Sequence, residues 1–133
     1  MKILKSIFTI LFTVFVAGAI LLALNAQSFF YYPQIGASSF TPKSAGLVYE
    51  DLLFLSSDNK TKLNGWFIHS INGSKNAKAT ILQVHGNAGK LENHLSYVSW
   101  LARENYNVFM FDYRGYGLSD NKKQTPKGLM QDT

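Results

Sequence analysis

Two short clusters in this chain could do chemistry. The first is His85-Gly86-Asn87-Ala88-Gly89, which closes the apolar run Ala79–Val84 and opens a stretch with helical periodicity. A turn of small residues between a rigid strand and a helix N-terminus lets another molecule approach main-chain N–H groups closely, as acyl transfer requires where an oxyanion develops. Such a turn also suits a phosphate. Here, however, the spacing matches neither G-x-G-x-x-G nor the P-loop, and Lys90 is followed by leucine rather than serine or threonine. The second cluster, FDYRGYGLSD at Phe111–Asp120, places Asp112, Arg114, Gly115, Gly117 and Ser119 directly after the apolar run Val108–Phe111.

The elements that must carry these clusters follow from hydrophobic pattern. Leu47–Leu55 and Leu63–His69 are strand-like and separated by Ser56–Lys60, which predicts an antiparallel hairpin. Ala79–Val84 reads as an apolar run, the pattern of a strand in a sheet covered on both faces. Leu91, Leu95, Val98, Leu101 and Ala102 recur at helical spacing opposite Glu92, Asn93, Ser96, Ser99 and Arg103, predicting an amphipathic helix over 91–104. Asn105-Tyr106-Asn107 ends it, and Val108–Phe111 reads as the next strand. Strand, helix, strand at this spacing is a right-handed crossover joining two parallel strands. Gly128–Thr133 is expected to begin another helix.

With this order of hairpin, strand, HGNAG, helix, strand and D-Y-R-G-x-G-x-S, the sequence resembles the α/β-hydrolase superfamily from about Leu47 to Thr133, and within it the serine-aminopeptidase-like branch of membrane-anchored or secreted hydrolases. The resemblance implies an α/β fold of which this chain holds the N-terminal part: a hairpin plus a βαβ unit, an incomplete sheet. It implies that the backbone N–H of Asn87 is one oxyanion donor, with His85, Gly86, Ala88 and Gly89 supporting the loop, and that the second donor follows the nucleophile. His85 is then a loop residue rather than the catalytic base. Asp112, Arg114, Gly115 and Gly117 form a structural loop, with the Asp112 and Arg114 side chains tying it. His69 and His94 are expected to be ordinary strand and helix-surface residues. Lys90 departs from the branch, in which asparagine is common after HGNAG.

The superfamily's nucleophile elbow, G-x-S-x-G, and the acid and histidine that follow it in order are not found in these 133 residues. Gly117-Leu118-Ser119-Asp120-Asn121 has only half of the elbow pattern, so no catalytic triad is assigned. The chain is therefore expected to be a truncated, catalytically silent N-terminal part of a serine hydrolase acting on acyl esters or amides. The alternative is a non-catalytic, membrane-tethered binding or assembly module that pairs through the open edge at Ala79–Val84.

Composition narrows the remaining classes. The chain has no cysteine, which excludes disulfides, thiolate nucleophiles and cysteine zinc sites. Its three histidines lack metal-ligand spacing, so neither a metal nor a cofactor is expected. The net charge of +5 comes from scattered lysines with no basic face, which argues against nucleic acid.

Ile7–Leu24 is an uncharged run of 18 residues. As a helix it spans about 27 Å, close to the hydrocarbon thickness of a bilayer. A retained membrane anchor and a cleaved signal peptide are both compatible with it; Leu24-Asn25-Ala26 is a poor cleavage site, which favours the anchor. Lys2 and Lys5 put the N-terminus in the cytoplasm and the domain outside, in a periplasmic, extracellular or lumenal space. The expected organisation is an anchor or signal segment at 1–26, a linker at 27–46 rich in Pro, Gly and Ser, and the truncated domain at 47–133. The expected partners are the lipid bilayer and a small acyl substrate.

Overall fold

A computed structural model describes residues 2–133, which form two units meeting at Tyr31 and Tyr32. The first unit is helix α1, Lys2–Asn25, followed by a short 3-10 turn at Ala26–Phe29. It is long and apolar enough to cross a membrane, and its apolar side chains are exposed on every face.

The second unit is a four-stranded mixed sheet with a helix on one face. Its strands are β2 (Tyr49–Leu55), β3 (Lys62–Ile68), β4 (Thr80–Gln83) and β6 (Asn107–Phe111), in the order β2-β3-β6-β4. β2 and β3 form the antiparallel hairpin, β3 pairs antiparallel with β6, and β6 runs parallel to β4. The βαβ crossover is therefore present, with helix α2 (Leu91–Arg103) between its strands. Two more short strands, β1 (Tyr32–Pro33) and β5 (Ala88–Gly89), pair parallel with each other, and helix α3 spans Pro126–Asp132.

Alternation along the strands sorts the sheet into two unlike faces. Trp66, Ile68, Val108 and Met110 point to α2 and bury Leu91, Leu95, Val98 and Ala102 in one core. The opposite face is aromatic: Phe54 packs its ring on Phe109 and Phe111 at centroid distances of 5.5 and 5.7 Å. That face is covered less completely, and Phe54, Phe67 and Phe109 remain half-buried. β4, whose apolar pattern is typical of a strand covered on both faces, is here the open edge expected of Ala79–Val84 in an incomplete sheet: its single ladder partner among the described residues is β6, and Leu82 and Val84 are 54% and 43% exposed.

Helix ends follow local chemistry. α2 stops where Asn105 takes a left-handed φ of 69°, and the Tyr106 N–H donates back to the Leu101 carbonyl at 3.0 Å. α3 starts at Thr125, whose Oγ1 accepts from the Gly128 N–H at 3.0 Å, with Pro126 in the first turn. Its start thus lies two residues before Gly128, where it was expected.

The segment 27–46, expected to be a linker, is one only at its beginning. From Tyr32 onward the chain belongs to the domain unit: β1 pairs with the HGNAG loop, and Pro42–Ala45 forms a 3-10 turn with Pro42 buried.

Candidate active site

The HGNAG loop is built between the end of β4 and the start of α2. Gly86, Asn87 and Ala88 are exposed, whereas His85, Gly89 and Lys90 are buried. His85 is the floor of the loop. Its ring lies parallel to that of His94, with centroids 4.9 Å apart, and meets Tyr113 and Tyr116 edge-on at 4.8 and 5.1 Å.

His85 Nδ1 is 2.7 Å from the Gly86 carbonyl. A carbonyl only accepts, so Nδ1 carries the proton in this contact. The bond orients the peptide between Gly86 and Asn87, the unit that contains the Asn87 N–H. The following peptide is held independently, because the Asn87 carbonyl accepts from the Tyr32 N–H and from the Tyr116 hydroxyl, each at 2.8 Å. Both peptide planes flanking Asn87 are thus held by hydrogen bonds, the first from His85 within the loop and the second from Tyr32 and Tyr116 outside it.

His85 Nε2 faces the Asp112 carboxylate at 3.4 Å, with both side chains almost fully buried, and has no hydrogen-bond partner of its own. Asp112 Oδ1 accepts from the Leu91 N–H at 3.0 Å, placing a negative charge at the N-terminus of α2, where the helix dipole favours it. Its main chain joins β6 to β3 through the bond from Asp112 N to the Asn64 carbonyl at 2.9 Å. Gly117, with φ of 50°, sits where a Cβ would collide with this carboxylate, so glycine is required there for both backbone and space.

Asp112 and Arg114 were expected to tie one loop together. They serve different elements instead. Arg114 donates from Nε and Nη2 to the Asp132 carboxylate at 2.7–3.1 Å, and from Nη2 to Asp58 Oδ2 at 3.2 Å and Ser56 Oγ at 3.3 Å. It joins α3 to the β2–β3 turn. The bonds to Asp132 are the main reason its guanidinium pKa is raised above the ordinary value. Asp58 is lowered well below the usual carboxylate range, first by the Thr61 hydroxyl and then by the Lys60 and Thr61 N–H groups, with Arg114 adding to these.

Ser119 is committed to structure. Its hydroxyl donates to the Asp112 carbonyl at 2.5 Å and accepts from the Asn64 N–H at 2.9 Å, and the residue is buried. His69 follows β3 at the end where Ile68 pairs with Val108, away from Asp112, and its Nε2 meets Glu50 Oε1 at 2.9 Å.

Three parts of the site escaped sequence reasoning. His94 is one: its Nε2 lies 2.9 Å from the Ala88 carbonyl. Side chains in the first turn of a helix lean toward its N-terminus, so a polar residue there reaches back over the preceding loop. Tyr116 is the second, and its role depends on a loop conformation that no short-range pattern encodes. The third is the pair Lys90 and Glu92. Lys90 Nζ donates to the Ala37 carbonyl at 2.7 Å and lies 3.2 Å from Glu92 Oε1. Glu92 Oε2 accepts from the N–H groups of Ser39 and Phe40 at 2.6 and 2.9 Å. The Phe40 N–H is the largest cause of its lowered pKa, about 2, followed among the lowering influences by Lys90 and Ser39.

The family model described as serine aminopeptidase, S33, matches residues 75–131, which include both loops. The chain is 44% identical over 135 residues to the uncharacterized protein YfhR of Escherichia coli (strain K12), an alignment covering 99% of this chain and 43% of the relative. It is 34% identical over 122 residues to the alpha/beta hydrolase domain-containing protein WAV2 of Arabidopsis thaliana, covering 88% of this chain and 38% of that one. The esterase Pf2001 of Pyrococcus furiosus superposes with a TM-score of 0.55 at 29% identity over 71% of this chain and 35% of its own. The chain thus spans less than half the length of the relatives it matches.

Proposed function

Because the chain belongs to the α/β-hydrolase superfamily, we propose that its 133 residues form the oxyanion-hole side of a membrane-anchored serine hydrolase acting on acyl esters or amides. In this reading the Asn87 N–H is one of two donors to the tetrahedral oxyanion. The nucleophile, acid and base come from sequence outside these residues. The observation that carries the reading is the HGNAG turn, with the peptides on both sides of Asn87 tied to buried partners. Preorganisation of this kind stabilises charge that develops in the transition state without reorganisation at the moment of reaction. His85 Nδ1 holds the loop by its bond to the Gly86 carbonyl and Nε2 is buried against Asp112, which leaves the ring poorly placed to take a proton from a nucleophile.

The 133 residues alone are then catalytically silent, since a donor loop contributes rate only within a formed substrate site. The test is fluorophosphonate labelling and hydrolysis of p-nitrophenyl butyrate, applied to this chain and to the product of its entire coding sequence. Labelling at a G-x-S-x-G serine in the longer product, with none in the 133 residues, supports the reading. Labelling of the 133-residue chain, or none in either, ends it.

The membrane placement has its own support in the uncharged run Ile7–Leu24 of helix α1 and in Lys2 and Lys5 ahead of that run. The N-terminus is cytoplasmic and the domain faces outward. The absence of cysteine makes a clean test possible: Lys75→Cys, an exposed position, reacts with a membrane-impermeant maleimide in intact cells if the domain is outside. Protection until the cells are lysed reverses the orientation.

A second reading is favoured by the edge strand β4, with Leu82 and Val84 exposed. An unpaired ladder edge accepts a strand from another polypeptide, and the chain would then be a membrane-tethered assembly module. It requires a stable stoichiometric complex through β4; recovery of only uncomplexed or aggregated chain rules it out.

A further inference from the structure

Residues 32–40 run between the two motif loops and bond to both. The Tyr32 N–H donates to the Asn87 carbonyl at 2.8 Å and the Gln34 N–H to the Gly89 carbonyl at 3.0 Å. Two residues on, the Gly36 N–H donates to the Gly117 carbonyl and the Gly117 N–H returns to the Gln34 carbonyl, each at 2.8 Å. One short segment therefore spans the HGNAG loop and the Asp112–Asp120 loop with four main-chain hydrogen bonds. Its far end is clamped to the first turn of α2, where Glu92 takes the Ser39 and Phe40 N–H groups and Lys90 takes the Ala37 carbonyl.

The consequence is local to Asn87. The direction of its N–H is set by the peptide before it and by its own φ and ψ, and those are constrained only when the peptide after it is held as well. His85 holds the first plane. The second is held by one donor from segment 32–40 and one from Tyr116. With Gly86, Asn87 and Ala88 exposed, the turn depends on hydrogen bonds rather than on packing to hold its conformation.

We propose that residues 32–40 are a positioning strap for the oxyanion donor: through Tyr32, with Tyr116 from the opposite loop, the strap holds the Asn87 peptide in its working orientation, and Lys90 and Glu92 keep the strap in place. The inference rests on the reading of Asn87 as an oxyanion donor. Glu92 and Tyr116 touch no reacting atom and act through the strap and the loop. Misplacing an oxyanion donor penalises the transition state while leaving ground-state binding nearly intact, so the loss falls on kcat rather than KM.

The experiment has two arms. In the product of the entire coding sequence, Tyr116→Phe and Glu92→Ala are expected to lower kcat for p-nitrophenyl butyrate by about 10-fold with KM changed by less than about twofold, a fraction of the loss typical of deleting a donor outright. Glu92→Gln, which keeps an acceptor for Ser39 and Phe40, is expected to restore most of kcat. Tyr116→Phe keeps the packed ring, so it remains informative if Glu92→Ala folds poorly. Unchanged kcat in both variants, or a loss confined to KM, overturns the strap. In the second arm, amide exchange is followed on the 133-residue chain in detergent micelles. Glu92→Ala is expected to speed exchange at 85–90 and 115–117 while β3 and β6 stay protected, and unchanged exchange there overturns the strap. Absence of any ester hydrolysis by the wild-type long product would count against the proposed function, and the exchange arm then decides the strap.

Discussion

Asp112 shows how one buried carboxylate can organise a site without entering its chemistry. It caps α2 through the Leu91 N–H, lies against His85 Nε2, and excludes any side chain from position 117. Asp112→Ala leaves a buried helix N–H without an acceptor, and is expected to destabilise the domain by about 1–3 kcal/mol, read from the denaturant midpoint. Gly117→Ala should match or exceed this, since it combines a left-handed backbone with a collision against the same carboxylate. Equal stability of Gly117→Ala and wild type would mean that the Asp112–Asp120 loop is not packed as described.

At the scale of elements, two ionic ties hold pieces that the sheet itself does not. Arg114 pins α3 to the β2–β3 turn, and the Asp132 side chain it holds is fully buried. Arg114→Met strands that carboxylate, with an expected loss of about 3–5 kcal/mol. Early tryptic cleavage at Lys122, Lys123 or Lys127 would report the release of α3. The second tie is Glu92. Its folded pKa of about 2 lies below the ordinary 4.5, so its stabilisation of residues 39–40 is fully present above about pH 4.5 and is lost as pH falls toward 2. Amide exchange at 37–40 corrected for intrinsic rate should rise over that window, and Glu92→Gln should flatten the dependence. A wild-type profile without a step between pH 4.5 and 2 would contradict the bonding to Ser39 and Phe40.

For the molecule as a whole, the weak point is β4. A short strand with one ladder partner and exposed Leu82 and Val84 invites pairing between copies. Leu82→Lys is expected to slow aggregation, measured by light scattering, without lowering the thermal midpoint, because the side chain is already 54% exposed. A clear drop in the midpoint would show that Leu82 is packed in solution. The half-buried aromatic face of Phe54, Phe67 and Phe109 is the other surface the 133 residues leave incompletely covered, consistent with their spanning under half the length of related proteins.

The elements were legible in the sequence because their signals are local. Apolar runs, period-3.6 spacing and the Asn105-Tyr106-Asn107 helix stop act within a few residues. The hairpin, the βαβ crossover, α2 and the apolar N-terminal helix follow from them, and the two motifs supplied the family. What only the tertiary structure decided was which groups meet across the fold: Asp112 with the start of α2 rather than with Arg114, Arg114 with Asp132, and Tyr116 and Tyr32 on the Asn87 carbonyl. The expected linker at 27–46 departs from the structure from Tyr32 onward for the same reason. Its bonds are made by main-chain atoms, which every residue type carries alike, so no choice of side chains in the sequence announces where a backbone strap will dock.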